Sequence, residues 1–335
     1  MSPDPAFPGF DRAFLATPQG RLAVDRGGSG PAVLLLHGFP QTRLMWRDVA
    51  PILAREFEVI VADLPGYGES DCPVAGDGSG RGDDAAARAD HADHAAMSKR
   101  ALAATLVAAM AGAGFDRFAI VGHDRGGRVA YRAALDHPKA ITRAAVLDVV
   151  PTFDAWDRAD ARFALAFWPF SLLAQPAPLP ERLMIAAPEA IVDDALDNWD
   201  TPAETFPPDV RRAYADALRD PAHVHAICEE YRAAASIDRD HDKADLDAGR
   251  KITCPFLALW SGRGGLANWY GDAGGPLGLW RRWAQDPIGC AVDGGHFFPE
   301  EDPVLTADLI ARFLRGETEG FRAGATAPNP APAAG

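Results

Sequence analysis

The sequence predicts an α/β protein in which a mostly parallel central sheet carries helices on both faces and a helical cap is inserted. Two observations predict this class. Short apolar runs alternate with helical patterns along most of the chain, and one long helical segment interrupts that alternation. With 335 residues, 48% of them hydrophobic, the chain is long enough to bury a large core.

Apolar runs give the predicted strands of the sheet. They are leucine-rich or β-branched and end in turn residues, as is typical of strands buried on both faces. Five runs are clear and a sixth is weaker, and together they cover residues 32–36, 59–62, 118–121, 144–149, 256–260 and 289–292. The predicted helices of the sheet domain cover residues 98–110, 127–135 and 303–314.

Composition divides the chain into further parts. Residues 152–247 are rich in Trp, Phe, Ala and Pro and look helical, which predicts a helical cap and leaves 1–151 and 248–318 as the sheet domain. Residues 77–93 are rich in Gly, Asp, Ala and Arg, which predicts a flexible surface loop. The Ala/Pro/Gly-rich residues 319–335 predict a disordered tail.

Charge and cysteine content exclude several classes of partner. The net charge of −14 disfavours nucleic acid and anionic membranes, and no stretch approaches the roughly 18 apolar residues of a membrane span. The N-terminus lacks the features of a secretory signal, so we expect a cytoplasmic protein. The four cysteines are widely spaced, and the histidines show no ligand spacing, so we expect no metal and no cofactor; these histidines are His91, His94, His223 and His225.

A glycine-framed aspartate stands between a predicted strand and a predicted helix. The segment Gly122-His123-Asp124-Arg125-Gly126 has the context of the nucleophile elbow of an α/β-hydrolase, with Asp124 where serine usually stands. A carboxylate that attacks an sp³ carbon gives an ester, whereas its attack on an ester would give a reactive anhydride. Halide displacement or epoxide opening is therefore favoured over esterase chemistry. The alternative is that Asp124 only caps the following helix.

The remaining members of a catalytic triad follow in the order that this fold uses. Asp148 ends the strand after the elbow, and His296 lies on a loop near the C-terminus. His296 would activate water against the ester, and Asp148 would hold its tautomer. Asp293, Glu300 or an acid after the strand at 256–260 stay open as alternatives to Asp148.

Backbone donors for an oxyanion hole are expected next to the elbow. His37-Gly38-Phe39 ends the strand at 32–36, and the loop at this place supplies one N–H group in this fold, here that of Phe39. The second donor would be the N–H of Arg125. These groups would stabilise the oxyanion that forms when water attacks the Asp124 ester.

Two arginines accompany the nucleophile. Arg125 follows Asp124 directly, and Arg128 lies one helical turn further on the same face. Because a guanidinium matches a carboxylate bidentately, the pair predicts a small anionic substrate with a carboxylate beside the reacting carbon. The alternative is that these arginines form structural salt bridges with acids of the cap.

These residues resemble the fluoroacetate (haloacetate) dehalogenases of the α/β-hydrolase superfamily, which are related to epoxide hydrolases. The similarity covers residues 7–313 and is carried by HGFPQT (37–42), VADLPGYGES (61–70), GHDRGGR (122–128), LAQPAPLPE (173–181), CEEYRA (228–233), HDK (241–243) and GGHFFPEE (294–301). The resemblance implies Asp124 as nucleophile, Asp148 and His296 as the hydrolytic pair, and Arg125 and Arg128 as carboxylate binders. It also implies Tyr231 as a halide donor, and a homodimer.

The cap departs from the family at the halide site. The family places His-Trp just before LAQPAPLPE, where this chain has Pro169-Phe170, and neither side chain donates a hydrogen bond. Trp168 is a candidate substitute donor or a packing residue, and Trp199 is a candidate wall of the cap cavity. We therefore expect hydrolytic dehalogenation of a short haloacid, with chloride or bromide leaving more readily than fluoride.

Other functions stay open on the same residues. An epoxide hydrolase would use the same triad, with Tyr231, Tyr214 or Tyr131 protonating the epoxide, although that family usually has Trp where Arg125 stands. Haloalkane dehalogenases typically carry Asn and Trp at the positions of Phe39 and Arg125. A non-catalytic binding protein is a third alternative, which the complete elbow and triad disfavour.

Overall fold

The computed structural model describes residues 6–73 and 93–321 of the chain. Most of the predicted loop at 77–93 and of the predicted tail at 319–335 lies outside the described residues. Among the described residues, none of the helices has the length and apolar character that crossing a bilayer requires.

Eight strands form one sheet in the order β1-β2-β4-β3-β5-β6-β7-β8. β2 is antiparallel to both of its neighbours, and the pairs from β4 to β8 are parallel. This topology confirms the predicted fold class and all six predicted strands. The bounds are β1 Asp11–Thr17, β2 Gly20–Gly28, β3 Ala32–Leu36, β4 Glu58–Ala62, β5 Phe118–His123, β6 Ile141–Leu147, β7 Phe256–Ser261 and β8 Pro287–Val292.

Helices cover both faces of the sheet. Those that belong to the sheet domain are α1 Ala50–Leu53, α2 Lys99–Gly112, α3 Arg125–Asp136, α12 Gly265–Trp269, α13 Gly275–Trp280, α14 Phe298–Glu301 and α15 Pro303–Arg315. Short 3₁₀ turns occupy Arg43–Trp46, Ala203–Thr205 and Gly271–Ala273. The three helices predicted in this domain are thus present, with ends within two residues of the predicted ones.

Residues 152–247 form a helical insert between β6 and β7. The described helices of the insert are α4 Thr152–Asp157, α5 Ala161–Ala166, α6 Trp168–Leu173, α7 Leu179–Ala186, α8 Pro188–Asp197, α9 Pro208–Ala217, α10 Pro221–Ala235 and α11 Ile237–Asp247. Five of these helices carry Pro in their first turn, where its missing N–H has no intrahelical partner to lose. The frequent prolines of this segment therefore mark helix starts, which accounts for a run of short helices.

Helix boundaries in the sheet domain follow local capping chemistry. Ser98 begins α2 by accepting a hydrogen bond from the N–H of Ala101, and Asp302 begins α15 by accepting one from Leu305. The same helix α15 ends at Gly316, whose φ of 89° is the left-handed conformation that glycine adopts without strain.

The sheet separates two hydrophobic cores. Alternate residues of each strand point to opposite faces, so that Leu34 and Ile60 enter one core while Val33 and Val59 enter the other. The first core continues into α2, α3 and the helical insert, and the second is closed by α1 and α15. Because both faces are covered, the central strands are almost continuously apolar.

Parallel strands bring their carboxyl ends to one edge of the sheet. The segments that follow β3, β5, β6 and β8 carry Phe39, Asp124, Asp148 and His296 respectively. In sheets of this kind, ligands bind at that edge. The fold therefore gathers four residues that are far apart in sequence.

Candidate active site

Asp124 lies in a strained turn between β5 and α3. Its φ is 44°, in the left-handed region that non-glycine residues rarely adopt. A Cβ on Gly122 would lie 2.2 Å from the carbonyl oxygen of Gly126, and one on Gly126 would lie 2.5 Å from that of His37. Both glycines are therefore required by the turn. The side chain of Asp124 makes no capping hydrogen bond, so the alternative of a simple helix cap does not describe its contacts.

The loop after β3 closes on the Asp124 carboxylate. The N–H of Phe39 donates to Asp124 Oδ2 at 3.0 Å, and a Cβ on Gly38 would lie 2.5 Å from the Cβ of Asp124. Burial alone would raise the pKa of Asp124, but the charges of His296 and Arg125 outweigh it and hold that pKa below its ordinary value. The carboxylate is therefore ionised and oriented at neutral pH.

His296 and Asp148 are directly hydrogen-bonded. His296 Nδ1 lies 2.6 Å from Asp148 Oδ2, while Asp148 Oδ1 accepts from the N–H of Ser261 at 2.8 Å. Burial lowers the pKa of His296, but the hydrogen bond and charge of Asp148 raise it above its ordinary value of 6.5. This arrangement leaves Nε2 as the nitrogen that can accept a proton.

The other acids considered for the triad lie in different contacts. Asp293 forms an exposed ion pair with Arg263 at 3.3 Å. Glu300 is hydrogen-bonded by Gln41, Arg47 and Tyr214. Of these candidates, Asp148 is the one whose carboxylate contacts His296.

His123 is a site residue that was not predicted from the sequence. Its Nε2 lies 2.8 Å from the carbonyl oxygen of His296, and the two imidazole rings are 4.7 Å apart. Burial lowers the pKa of His123 to about 4, so the ring is neutral and Nε2–H donates to that carbonyl. His123, which belongs to the elbow, thus holds the backbone of His296 in place. Its position directly before Asp124 in the sequence was the signal that could have predicted this role.

Arg125 is bound by an acid of the helical insert. Its guanidinium is completely buried, and Nε donates to both carboxylate oxygens of Glu230 at 3.1 Å. The charge of Arg125 also lies 3.9 Å above the ring of Tyr231. Lys99 Nζ, at 2.8 Å, and the Tyr67 hydroxyl, at 2.6 Å, complete the surroundings of Glu230. The charges of Arg125 and Lys99 outweigh burial and lower the pKa of Glu230 to about 2.

Arg125 and Arg128, predicted together as carboxylate binders, differ in their contacts. Arg125 Nη1 has no hydrogen-bond partner among the described residues, so carboxylate binding by Arg125 stays a prediction. Arg125 forms the salt bridge to an insert acid that the sequence analysis kept as the alternative, because Glu230 reaches it from α10. Arg125 is also absent from the residues that line the cavity at Asp124. The role of the Arg125 backbone N–H as the second donor of the oxyanion hole stays a prediction.

Arg128 differs from Arg125, because it is a buried cation that has no carboxylate partner among the described residues. It is 4% exposed, and no carboxylate of the described residues lies within ion-pair distance of it. Nη1 donates to the carbonyl of Val150 at 3.1 Å and to the hydroxyl of Thr152 at 3.3 Å, whereas Nη2 makes no hydrogen bond to a described residue. Burial lowers the pKa of Arg128, and the charge of Arg125 lowers it further. A buried cation of this kind is costly unless an anion joins it.

A small cavity connects these groups. The space open to the centre of a water molecule is about 20 Å³. Its polar walls are Asp124, Asp148, His296, Arg128, Tyr231 and Tyr270, and its apolar walls are Val149, Val150, Ala155, Phe167, Pro169, Phe170, Trp199 and Leu266. Tyr231, Pro169, Phe170 and Trp199 thus lie where the sequence placed them. Tyr270 was missed, because its Gly-rich surroundings show no periodic pattern.

Several aromatic candidates are engaged elsewhere. Of the two roles considered for Trp168, its contacts do not support that of a substitute halide donor, because its indole N–H donates to Asp194 Oδ2 at 2.7 Å and the residue is not on the cavity wall. The Trp199 indole donates to the carbonyl of Ala166. Tyr131 and Tyr214, considered as epoxide-protonating residues, donate to the buried carboxylates of Asp242 and Glu300.

One cluster of possible metal ligands lies outside this cavity. Glu181, His225 and Glu229 present ligand atoms within 4.8 Å of one another. Arg232 donates to both of these carboxylates, at 2.7 and 2.6 Å, so a guanidinium already occupies the place between them. The cluster is accounted for as a charge-balanced network.

Comparison with known proteins identifies the family. Residues 31–303 match the model of the alpha/beta hydrolase fold, and the chain belongs to this family. It is 39% identical to a fluoroacetate dehalogenase from a Burkholderia species, over 94% of this chain and 97% of the relative. The resemblance predicted from sequence motifs is therefore confirmed.

Epoxide hydrolases are also among the relatives. The chain is 28% identical to a soluble epoxide hydrolase from Corynebacterium sp. strain C12, over 88% of this chain and 93% of the relative. A solved structure from Pseudomonas aeruginosa, provisionally described as an epoxide hydrolase, is 42% identical with a TM-score of 0.82 and covers 96% of this chain and all of that one. Sequence similarity alone thus leaves two chemistries to be distinguished at the site.

Proposed function

We propose that this protein hydrolyses short 2-haloacids of the haloacetate type to hydroxy acids, through an ester of Asp124. The observation that carries the proposal is the buried guanidinium of Arg128, which shares a cavity with Asp124 and has no carboxylate within ion-pair distance among the described residues. An epoxide without a charged group would leave that cation unpaired, whereas a haloacid carboxylate neutralises it. The enzyme class, a hydrolase acting on carbon–halide bonds, agrees with the fluoroacetate dehalogenase relative.

In the first step, Asp124 displaces the halide. The Phe39 N–H holds Oδ2, which leaves Oδ1 to attack the carbon that bears the halogen. The carbon–oxygen bond forms as the carbon–halogen bond breaks, and the halide leaves with the bonding electron pair. The substrate carboxylate on Arg128 would hold this carbon in place, so that charge pairing orients the displacement.

In the second step, water hydrolyses the ester. His296 Nε2 takes a proton from water, and the resulting hydroxide adds to the carboxyl carbon of Asp124. Asp148 stabilises the imidazolium, and the Phe39 N–H stabilises the oxyanion of the tetrahedral species. Collapse releases the hydroxy acid, whose alkoxide oxygen takes the proton from His296. The remaining hydroxyl proton on the Asp124 carboxyl passes to solvent, which regenerates the carboxylate.

The small cavity favours a small substrate over a bulky one. A space of about 20 Å³ for the centre of a water molecule is close to that of a single bound water. A haloacetate adds few atoms beyond its carboxylate and reacting carbon, whereas an aryl epoxide needs room for a ring. The apolar walls Phe167, Phe170 and Trp199 would have to move for either substrate, and further for the larger one.

The leaving group is expected to be chloride or bromide rather than fluoride. Among the described wall residues that the helical insert contributes, the Tyr231 hydroxyl is the donor that remains, because Pro169 and Phe170 cannot donate and the Trp199 N–H is already bonded. Fluoride is a poor leaving group that depends strongly on hydrogen bonding. The resemblance to fluoroacetate dehalogenases thus extends to the carboxylate end more than to the halide end.

A substrate panel tests the proposal. Halide and hydroxy acid release would be measured from fluoroacetate, chloroacetate and bromoacetate, with styrene oxide in parallel and Asp124→Asn as the matched inactive control. We expect bromide and chloride release that greatly exceeds fluoride release, and no epoxide opening. Epoxide opening without halide release would contradict the proposal and favour the epoxide hydrolase alternative.

The implied homodimer and cytoplasmic location stay predictions. Sedimentation analysis of the purified chain would test the former.

A further inference from the structure

The backbone of the loop that carries His296 is held from both parts of the molecule. The sheet domain holds carbonyl groups of this loop. The Ser261 hydroxyl donates to the carbonyl of Gly294 at 2.6 Å, and His123 Nε2 donates to that of His296 at 2.8 Å. The N–H groups of His296 and Phe297 donate instead to acceptors of the helical insert. The position of His296 therefore depends on the sheet domain and on the insert.

The acceptors of the insert lie in one short segment that follows α8. The carbonyl of Trp199 accepts from the N–H of His296 at 2.9 Å, and the hydroxyl of Thr201 accepts from the N–H of Phe297 at 3.1 Å. Asp200 stands between them with a φ of 60°, a left-handed conformation that is uncommon for a residue other than glycine. The turn at Asp200 thus presents both acceptors to the same loop.

Close packing joins this segment to the loop. A Cβ on Gly295 would lie 2.3 Å from the carbonyl oxygen of Asp200 and equally close to Thr201 Oγ1, so the approach of the two backbones requires glycine at this position. The Trp199 ring stacks on that of Phe297, with centroids 5.7 Å apart. Phe297 is completely buried and Thr201 is 5% exposed, so the hydrogen bond between them is shielded from water.

We infer that Thr201 is a positioning residue for the histidine that activates water, so that the insert controls hydrolysis of the Asp124 ester. This inference rests on the proposed function. His296 Nε2 must reach the attacking water, and its direction follows from the backbone that Thr201 and Trp199 hold. Asp124 depends less on the insert, because the elbow and the Phe39 N–H, both of the sheet domain, orient its carboxylate.

The two chemical steps should therefore respond differently to the loss of the Thr201 hydroxyl. Thr201→Val keeps the shape of the side chain but leaves the buried N–H of Phe297 without an acceptor among the described residues. The loop should shift to find another acceptor. Because misplacement of a reacting group by about 1 Å can slow a step by about a hundredfold, we expect ester hydrolysis to fall by about tenfold. Ester formation should stay within about twofold of the wild type, since Asp124 keeps its own contacts.

Separate rates for the two steps test the inference. Rapid quench with bromoacetate, followed by mass spectrometry of the peptide that contains Asp124, gives the rate constants for formation and for decay of the ester. Thr201→Ser keeps the hydroxyl and should restore the decay rate of the wild type. Thr205→Val is the matched control, because this threonine lies nearby in the insert and its side chain makes no hydrogen bond to a described residue. Thr201→Ala removes the same hydroxyl and replaces Thr201→Val should that variant not fold.

The position of His296 is also observable without turnover. Its Nδ1–H donates to Asp148 Oδ2 at 2.6 Å, and the proton of such a short, charge-assisted hydrogen bond resonates at unusually low field in NMR spectra. We expect this resonance in the wild type, in Thr201→Ser and in Thr205→Val. In Thr201→Val it should be shifted or broadened, because the imidazole no longer has one fixed position.

Three results would overturn the inference: equal slowing or no slowing of the two steps in Thr201→Val, a loss that Thr201→Ser does not restore, or an unchanged resonance in Thr201→Val. If the wild type forms no ester from bromoacetate, the proposed function is wrong, and the resonance alone decides. A change in Thr201→Val would then still support the positioning of His296, and an unchanged resonance would refute it.

Discussion

The contrast between the two arginines gives a paired prediction about activity and stability. Arg128→Met should abolish most turnover and leave the fold intact, whereas Arg125→Met should destabilise the protein. Both variants replace a buried guanidinium by an apolar chain of similar length. They differ in what is left behind, because Arg125 is paired with Glu230 and Arg128 has no carboxylate within ion-pair distance among the described residues.

The magnitude for Arg128 follows from its expected pairing with substrate. Two unit charges about 4 Å apart at an effective dielectric constant of about 20 attract by about 4 kcal/mol. Desolvation of the substrate carboxylate offsets part of this attraction, so we expect the variant to lose about 3 kcal/mol of transition-state stabilisation. This loss lowers kcat/KM by roughly a hundredfold or more. In the free protein the variant removes a buried charge that has no carboxylate partner in the described part of the chain, but also two hydrogen bonds, to Val150 and Thr152. The free energy of unfolding should therefore change little.

The magnitude for Arg125 follows from Glu230. Removing one partner of a buried ion pair costs about 3–5 kcal/mol of stability. Lys99 and Tyr67 still contact the Glu230 carboxylate, which places the expected cost near about 3 kcal/mol. Urea denaturation of the wild type and both variants measures the difference in the free energy of unfolding. The value of kcat/KM for bromoacetate measures the difference in activity. Equal destabilisation by the two substitutions, or near wild-type kcat/KM in Arg128→Met, would refute the reasoning.

Three further predictions concern the elbow and the triad. His296→Gln should form the ester without hydrolysing it, so mass spectrometry should find a carboxymethyl group on Asp124 after exposure to bromoacetate; free Asp124 would speak against this role. Because His296 must be neutral to accept a proton from water and its pKa is raised above 6.5, kcat should fall as the pH drops through that raised pKa. Because the pKa of Asp124 is lowered, ester formation should continue at the low pH at which His296 is protonated, and the ester should accumulate in a rapid-quench experiment. An ester level that does not change with pH would contradict this prediction. Gly126→Ala should destabilise the fold by about 3 kcal/mol or more, since its Cβ would lie 2.5 Å from the carbonyl oxygen of His37, whereas exposed Gly112→Ala, with open space around it, should be neutral or stabilising in the same thermal scan.

The elbow and the triad order were readable because local sequence determines them. The glycines that flank Asp124 occupy positions at which the turn has no room for a side chain. The buried strand segments before Asp124 and Asp148 are recognisable as apolar runs. Their positions at the carboxyl edge then follow from parallel pairing. The hairpin of β1 and β2 was missed, because Leu22, Ala23 and Val24 are a short apolar run between charged residues.

What the sequence could not supply were contacts between distant segments. Glu230 lies 105 residues from Arg125, and no spacing rule connects them. The orientation of Trp168 depends on Asp194, which reaches its indole from another helix. Tyr270 follows a short helix in a glycine-rich stretch without amphipathic periodicity, so only the folded chain shows that it reaches the cavity.

The nucleophilic role of Asp124 is tested most directly by a single turnover of bromoacetate in oxygen-18 water with enzyme in excess. If Asp124 forms the ester, the glycolate of the first turnover carries unlabelled oxygen from the carboxylate, and the label appears in the peptide that contains Asp124. Labelled glycolate in the first turnover would show direct attack by water and contradict the account.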